Sequence, residues 1–231
     1  LSLDYFFVLN SVYKKVISGF IKGHYIELGS IFNNAYTLKK TKNKLKGISF
    51  VSQKKYSRPF KPEEIELFKI LVKFCKLKKI KINFLAKMGL HHSYQLKNLK
   101  KIENLKIYYQ TTIKNSYRLI NKSEMVVFLS STFGYEAFSK GIKSVCIPII
   151  SNKVVKDTFQ PIRFGYPGKF NKSGFFWTAE NNQKKIFKVL NNVYRCKSKK
   201  WNNVYKNYFN KIMNYDPGNK KFKKLITILI R

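Results

Sequence analysis

Acidic residues are scarce in this chain: 11 Asp plus Glu stand against 47 Lys plus Arg in 231 residues, a formal charge of +36. So small a supply makes a general base hard to place. Cysteine is also rare. Cys75, Cys146 and Cys196 have no short paired spacing, which excludes a disulfide framework and a zinc site. Cys75 and Cys146 lie in apolar contexts and read as core residues, which fits a reducing, cytoplasmic setting. No apolar run approaches the roughly 18 residues that a membrane-spanning helix needs. No basic segment leads into an apolar stretch and a small-residue cleavage site at the start, and the first residue is Leu1, so the expectation is a chain truncated at its amino end.

Hydrophobic residues make up 44% of the chain and aromatics 16%, enough to bury a real core. The positive charge raises nucleic-acid binding as a first idea. Its distribution argues otherwise, because the basic residues are mostly lysines spread along the whole chain, alongside abundant Asn, Ile, Tyr and Phe. That joint bias is what an AT-rich coding sequence produces, and no specific nucleic-acid partner is expected. The charge also suits peripheral contact with an anionic membrane surface, at the inner face of the membrane.

From Leu45 onward short β-branched or aromatic runs alternate with helical stretches, the pattern of βαβ units and a mostly parallel sheet. Strands are expected at 46–52, 79–86, 106–109, 125–129 and 144–148. A helix is expected over 62–76, with Pro62 at its opening, Glu63, Glu64 and Glu66 as favourable charges in its first turn, and Lys73 and Lys76 in its last. Ile65, Phe68, Leu71, Val72 and Cys75 are spaced to form its buried face. Further helices are expected around 93–104, over 132–140 with Gly141 as terminator, and over 182–194 and 199–213. Residues 116–121 read as a turn or short helix, 160–180 as a long irregular loop, and 222–230 as a last apolar segment. Residues 1–44 look different, with a strand at 5–9, a helix at 11–22 and a strand-like 25–28. They read as the end of a truncated amino-terminal domain and the crossing into a second domain, 45–231.

The most informative stretch is Met125 to Lys140. A buried strand runs into Ser130, Ser131 and Thr132, small hydroxyl residues at the cap of a helix, and Gly134 permits close backbone approach. In open α/β sheets ligands sit beyond the carboxyl ends of strands, and helix amino termini hold phosphate through free N–H groups. Glu136 lies one turn from Thr132, so its carboxylate reaches the same crevice or closes a capping box. The bland alternative is a well-capped helix and nothing more.

The run from Val126 to Ala137, followed by Gly141-Ile142-Lys143 and a strand, resembles a motif of surface-carbohydrate and O-antigen biosynthesis proteins, which are similar to GT-B glycosyltransferases. The likeness extends to Gly23–Asn34, which resembles the segment leaving the amino-terminal domain, to Ile48–Gln53, to Gly174–Thr178, and to Asp216-Pro217-Gly218-Asn219. It therefore covers nearly the whole chain. The implied fold is α/β, a Rossmann-like, mostly parallel sheet with helices on both faces, plus the tail of an amino-terminal domain.

The implied activity is transfer of a sugar from a nucleotide-activated donor, serving as substrate with no further cofactor, to a glycan or lipid-linked acceptor. On that resemblance Ser130, Ser131, Thr132 and Gly134 would hold the donor phosphates and Glu136 the ribose hydroxyls. Ser52 and Gln53 would face the same crevice, and Lys87 would neutralise the leaving phosphate, the main need of metal-free glycosyl transfer. Ser52 and Gln53 also read as ordinary turn residues, and Lys87 as one solvated lysine among many. A CMP-linked acidic sugar would suit the basic chain. The acceptor site and base are implied for the amino-terminal domain, so the chain is expected to be inactive alone.

His91 and His92 are adjacent and lack Cys or carboxylate companions, so they do not read as a metal site. One of them could contact a base or phosphate, and His24 reads as structural. Phe175, Phe176 and Trp177 are expected to pack the two domains together. Asp157 sits in a loop that could reach the cleft, yet nothing around it marks it as a base. Two other readings are weighed against transfer: a nucleotide-sugar epimerase of the same architecture, which would need more carboxylates at the cleft, and a non-catalytic basic module for nucleic acid or anionic glycan.

Overall fold

The computed structural model describes residues 2–37, 44–52, 62–87, 99–148, 164–165 and 170–230. Its first elements are β1 (Ser2–Val8), α1 (Ser11–Ile17), β2 (Lys22–Glu27) and α2 (Ile31–Ala35). Asn10 starts α1 by accepting from Val12 N at 2.9 Å and Tyr13 N at 3.0 Å. The helix expected over 11–22 stops at Ile17, because residues from Lys22 onward pair in parallel with β1, Phe6 opposite Tyr25 and Val8 opposite Glu27. The short α2 was not foreseen; Ser30 caps it by accepting from Asn33 N at 3.2 Å.

The larger sheet contains β3 (Leu45–Val51), β4 (Ile82–Ala86), β5 (Leu105–Tyr109), β6 (Ser123–Phe128) and β7 (Lys143–Cys146). Its order is β5-β4-β3-β6-β7, and every neighbouring pair is parallel. The chain builds outward from β3 through β4 to β5, then returns to the other side of β3 with β6. The strand order therefore reverses between β3 and β6, which opens a crevice at their carboxyl ends. Both side-chain faces of β4 are buried throughout, as are those of β3 from Ile48 onward. That is how a parallel sheet covered by helices on both faces behaves.

Helix α3 (Pro62–Lys78) follows β3, and its buried positions are Glu64, Leu67, Phe68, Leu71, Phe74 and Cys75. That face is turned from the expected one: Ile65 is 38% exposed, while Glu64 is buried. Residues 116–121 belong to a full helix, α4 (Ile113–Lys122), opened by Thr112 accepting from Asn115 N at 3.0 Å. After β6 comes α5 (Thr132–Ser139), which packs on β7 and ends at Gly141, where φ is 77°. Of the helix expected around 93–104, residues 93–98 lie outside the described residues, and after Leu99 residues 100–104 form turns.

Helices α6 (Gln183–Tyr194) and α7 (Ser198–Ile212) complete the cover, and α8 (Lys220–Leu229) follows. The aromatic loop is core, not a domain–domain contact. Phe176 stacks on Phe138 of α5 at 4.8 Å between ring centroids, Trp177 stacks on Phe164 at 4.5 Å, and Trp177 Nε1 donates to Asn171 O at 2.9 Å. Phe175 stays half-buried beneath Lys200. Among the described residues no helix is long and apolar enough to cross a membrane.

After α7 the chain returns to its own beginning. Asn10 Nδ2 donates to Ile212 O at 2.5 Å, Asn214 N to Leu9 O at 2.9 Å, and Asp216 N to Asn34 Oδ1 at 2.9 Å. Gly29, with φ 75°, bridges Tyr215; a Cβ there would lie 1.9 Å from Asn214 O, so the two backbones meet this closely only at glycine. Phe222 of α8 meets Phe7 of β1 edge-on at 5.3 Å.

Candidate functional site

Strand β6 delivers the chain to the strand-order reversal through Leu129, after which Ser130, Ser131 and Thr132 turn it into α5. Ser130 and Thr132 are exposed and Ser131 is partly so. Ser131 is the N-cap residue, in an extended conformation (φ −70°, ψ 132°), but its hydroxyl makes no capping bond. The capping box that Glu136 offered on sequence is accordingly not formed. The amide N–H groups of Thr132 and Phe133 have no acceptor inside the helix, as in any first turn. That of Gly134 donates to Ser131 O at 2.9 Å.

Gly134 has a packing reason instead. A Cβ at this position would sit 2.1 Å from Phe128 Cγ, so α5 rests on the ring of the strand that precedes it. This close approach keeps the helix amino terminus over the end of β6.

Ser52 and Lys87 follow the carboxyl ends of β3 and β4. Ser52 is 2% exposed and donates its hydroxyl to Glu64 Oε1 at 2.6 Å. Glu64 is thus a buried partner of the β3 terminus and not a solvated charge at the start of α3. Lys87 is partly exposed. Gln53, His91, His92 and Asp157 lie outside the described residues. Among the described residues no three His, Cys, Asp or Glu side chains come together where a metal ion could be held.

Glu136 points inward and is 4% exposed. Its Oε1 accepts from Ser30 Oγ at 2.7 Å and its Oε2 from Tyr117 OH at 3.0 Å. Burial raises its pKa, and the two hydroxyls and the charge of Lys140 oppose that rise. Lys140 ends the same helix. Its ammonium donates to Tyr36 O at 2.5 Å and Asn121 Oδ1 at 3.1 Å and lies 4.9 Å above the Tyr117 ring. Burial lowers its pKa to about 8, with Glu136 acting in the opposite direction. Tyr117 itself is sandwiched between Tyr36 at 4.7 Å and Phe133 at 5.0 Å. One turn along, Asn33 Nδ2 donates to Ser139 Oγ at 2.8 Å.

The structure therefore brings Ser52, Lys87 and the Ser130–Thr132 turn to one edge of the sheet. It places Glu136 in a buried cluster with Ser30, Tyr117 and Lys140, none of which the sequence singled out. Lys140 was readable as the i+4 neighbour of Glu136 on one helix face. Ser30 had no local signal, since it is 106 residues away in the chain.

A family described as "putative O-antigen biosynthesis protein" matches residues 56–229. Among solved structures, Methanocaldococcus jannaschii UDP-GlcNAc 2-epimerase, in complex with UDP-GlcNAc and UDP, superposes with a TM-score of 0.63 at 12% identity, covering 97% of this chain and 61% of the epimerase. The wall teichoic acid polymerase TagF gives a TM-score of 0.54 at 14% identity over 98% of this chain and 58% of TagF. The pneumococcal O-GlcNAc transferase GtfA, solved with UDP and GlcNAc, gives 0.51 at 12% identity over 99% of this chain and 46% of GtfA. A sequence search of curated proteins finds no match. These likenesses show the fold, that of GT-B glycosyltransferases and an epimerase. The chain spans about three fifths or less of the proteins it superposes on.

Proposed function

The chain belongs to this family of O-antigen biosynthesis proteins, and we propose that it forms the donor half of a glycosyltransferase, binding a nucleotide-activated sugar for transfer to a glycan or lipid-linked acceptor. The observation that carries the proposal is the turn Ser130-Ser131-Thr132, set at the carboxyl end of β6 beside the reversal of strand order, with α5 starting from it. Amides and hydroxyls gathered at a helix start, beyond a parallel sheet, form an anion site for donor phosphates. Ser131, Thr132 and the amides of Thr132 and Phe133 take the phosphates. Glu136, one helical turn along α5 and 4% exposed, is the candidate for the ribose hydroxyls, and Lys87 lies at the sheet edge with Ser52 to offset charge on the leaving group. Ser52, at the end of β3, adjoins the crevice.

In this reading residues 1–44 belong to the acceptor side and the crossing, and the described Asn10 and Asn34 bond to Ile212, Asp216 and Gly218. The nucleotides bound by the epimerase and by GtfA support a nucleotide-linked donor. Thermal-shift measurement with UDP, CDP, CMP and GDP tests the reading. A nucleotide present at 100 times its Kd adds about 2.7 kcal/mol of stability, and Thr132→Ala and Glu136→Ala should abolish that gain. Parental shifts in both variants, or no shift with any nucleotide, would refute the donor site.

A further inference from the structure

We infer that Ser30 and Tyr117 are positioning residues for Glu136: their two hydroxyls, one on each carboxylate oxygen, hold it in one orientation for ligand hydroxyls. The inference rests on the donor-site reading and adds to it two residues from distant parts of the chain.

Ser30 Oγ accepts from Asn33 N at 3.2 Å as the cap of α2 and donates to Glu136 Oε1, 2.7 Å away. Tyr117 OH points at Oε2 from 3.0 Å. A carboxylate offers about four acceptor sites, so the two hydroxyls leave acceptor capacity on Glu136.

Neither donor is free to drift. The Tyr117 ring is held between Tyr36 and Phe133, with Lys140 above it, and is 3% exposed. Ser30 is held by the α2 cap, and α2 is pinned to α5 through the Asn33–Ser139 bond. The groups facing Glu136 are Tyr117 from α4, Ser30 from the start of α2 and Lys140 from α5 itself. Tyr36 stacks on Tyr117, and Tyr215 faces the Lys140 ammonium. Burial disfavours the ionised form, and the Ser30 and Tyr117 hydroxyls and the Lys140 charge counter it. Loss of either hydroxyl therefore raises the pH at which Glu136 ionises, a shift that loss of packing alone does not produce.

The test is equilibrium binding of UDP and CDP to the full chain between pH 5 and 8, for the parent, Tyr117→Phe, Ser30→Ala, Ser30→Thr, Glu136→Gln and Tyr205→Phe. Tyr205 is the control, because its hydroxyl donates to Ser139 O at 2.9 Å on the same helix without touching Glu136. Near-UV circular dichroism confirms that each variant is folded. Tyr117→Phe and Ser30→Ala should bind about tenfold more weakly at the acid end of the range, as expected for a lost bond to a charged group. The midpoint of their profile should move upward. Ser30→Thr keeps a hydroxyl and should restore the parental midpoint, and Tyr205→Phe should leave it unmoved. If Glu136→Gln loses binding while Tyr117→Phe and Ser30→Ala keep the parental profile, the positioning role is overturned and the donor site stands. If Glu136→Gln binds as the parent does, or no chain binds either nucleotide, the donor-site reading fails and this inference fails with it.

Discussion

Replacing Gly134 with alanine adds one methyl group to the first turn of α5, where helix propensity and packing make opposite demands. Alanine in place of glycine favours a helix by about 1 kcal/mol. The added Cβ, however, would lie 2.1 Å from Phe128 Cγ and 2.3 Å from each Cδ, against an optimum carbon separation of about 3.5–4.0 Å. Phe128 is 1% exposed on a strand bonded on both sides by β3 and β7, so its ring has nowhere to swing. Helix α5 must instead lift by more than an ångström away from β6. Overpacking of this kind costs about 1–3 kcal/mol, and contact with three ring atoms at once puts it near the upper end. The net expectation is a loss of about 1–2 kcal/mol, or a fall in Tm of about 2–8 °C for a chain of this size. Thermal and urea denaturation of Gly134→Ala in the parent and in a Phe128→Leu background provide the assay. Trimming the ring should relieve the clash, so that Gly134→Ala becomes neutral or stabilising in the second background, a coupling that a double-mutant cycle reads directly. A Tm unchanged or raised by Gly134→Ala alone, or equal effects in both backgrounds, would refute the packing argument.

Lys140 gives a pH-dependent expectation. Burial lowers its pKa from 10.5 to about 8, so between those values the folded chain binds fewer protons than the unfolded one, and stability should rise with pH across that window. Below about pH 8 the cost of the buried ammonium is fully present. Urea unfolding of the parent and Lys140→Met from pH 7.5 to 10.5 should show the parent gaining on the variant, and a constant difference would contradict the assignment. The cysteines give a third expectation. Cys75, Cys146 and Cys196 are 1%, 0% and 6% exposed, and burial pushes the Cys75 thiol up to about 12 and raises that of Cys146. Titration with a thiol reagent should find none of the three fast in the native protein and all three in denaturant; a fast native thiol would contradict the packing.

Much of the architecture was legible because it rests on local chemistry. Pro62 and the acidic residues behind it mark the start of α3, Gly141 marks the end of α5 by adopting a positive φ, and the apolar run at 125–129 marks β6. Helix α4 was half-missed, because its polar residues at 114–116 hide the start that the Thr112 cap makes plain. On α3, Ile65 was placed inside and Glu64 outside. A one-residue rotation of the buried face is invisible to spacing alone, and the Ser52 hydroxyl supplies the partner that allows Glu64 to be buried. The aromatic run at 175–177 was assigned to a domain contact because its composition says only that it must be buried, not against what. Gly134 was read as making room for a ligand, where the ring of Phe128 occupies that room.

Most element types, the parallel sheet and the hydroxyl-rich turn from Ser130 to Thr132 were legible in the sequence, since each follows from periodicity, capping and turn chemistry within a few residues. Tertiary structure alone decided where the carboxylate of Glu136 goes. A buried carboxylate is tolerated only where donors meet it, and its donors come from Ser30 and Tyr117, 106 and 19 residues away. Those distances are closed by the crossing of the chain and by the packing of α2, α4 and α5, which no local pattern encodes.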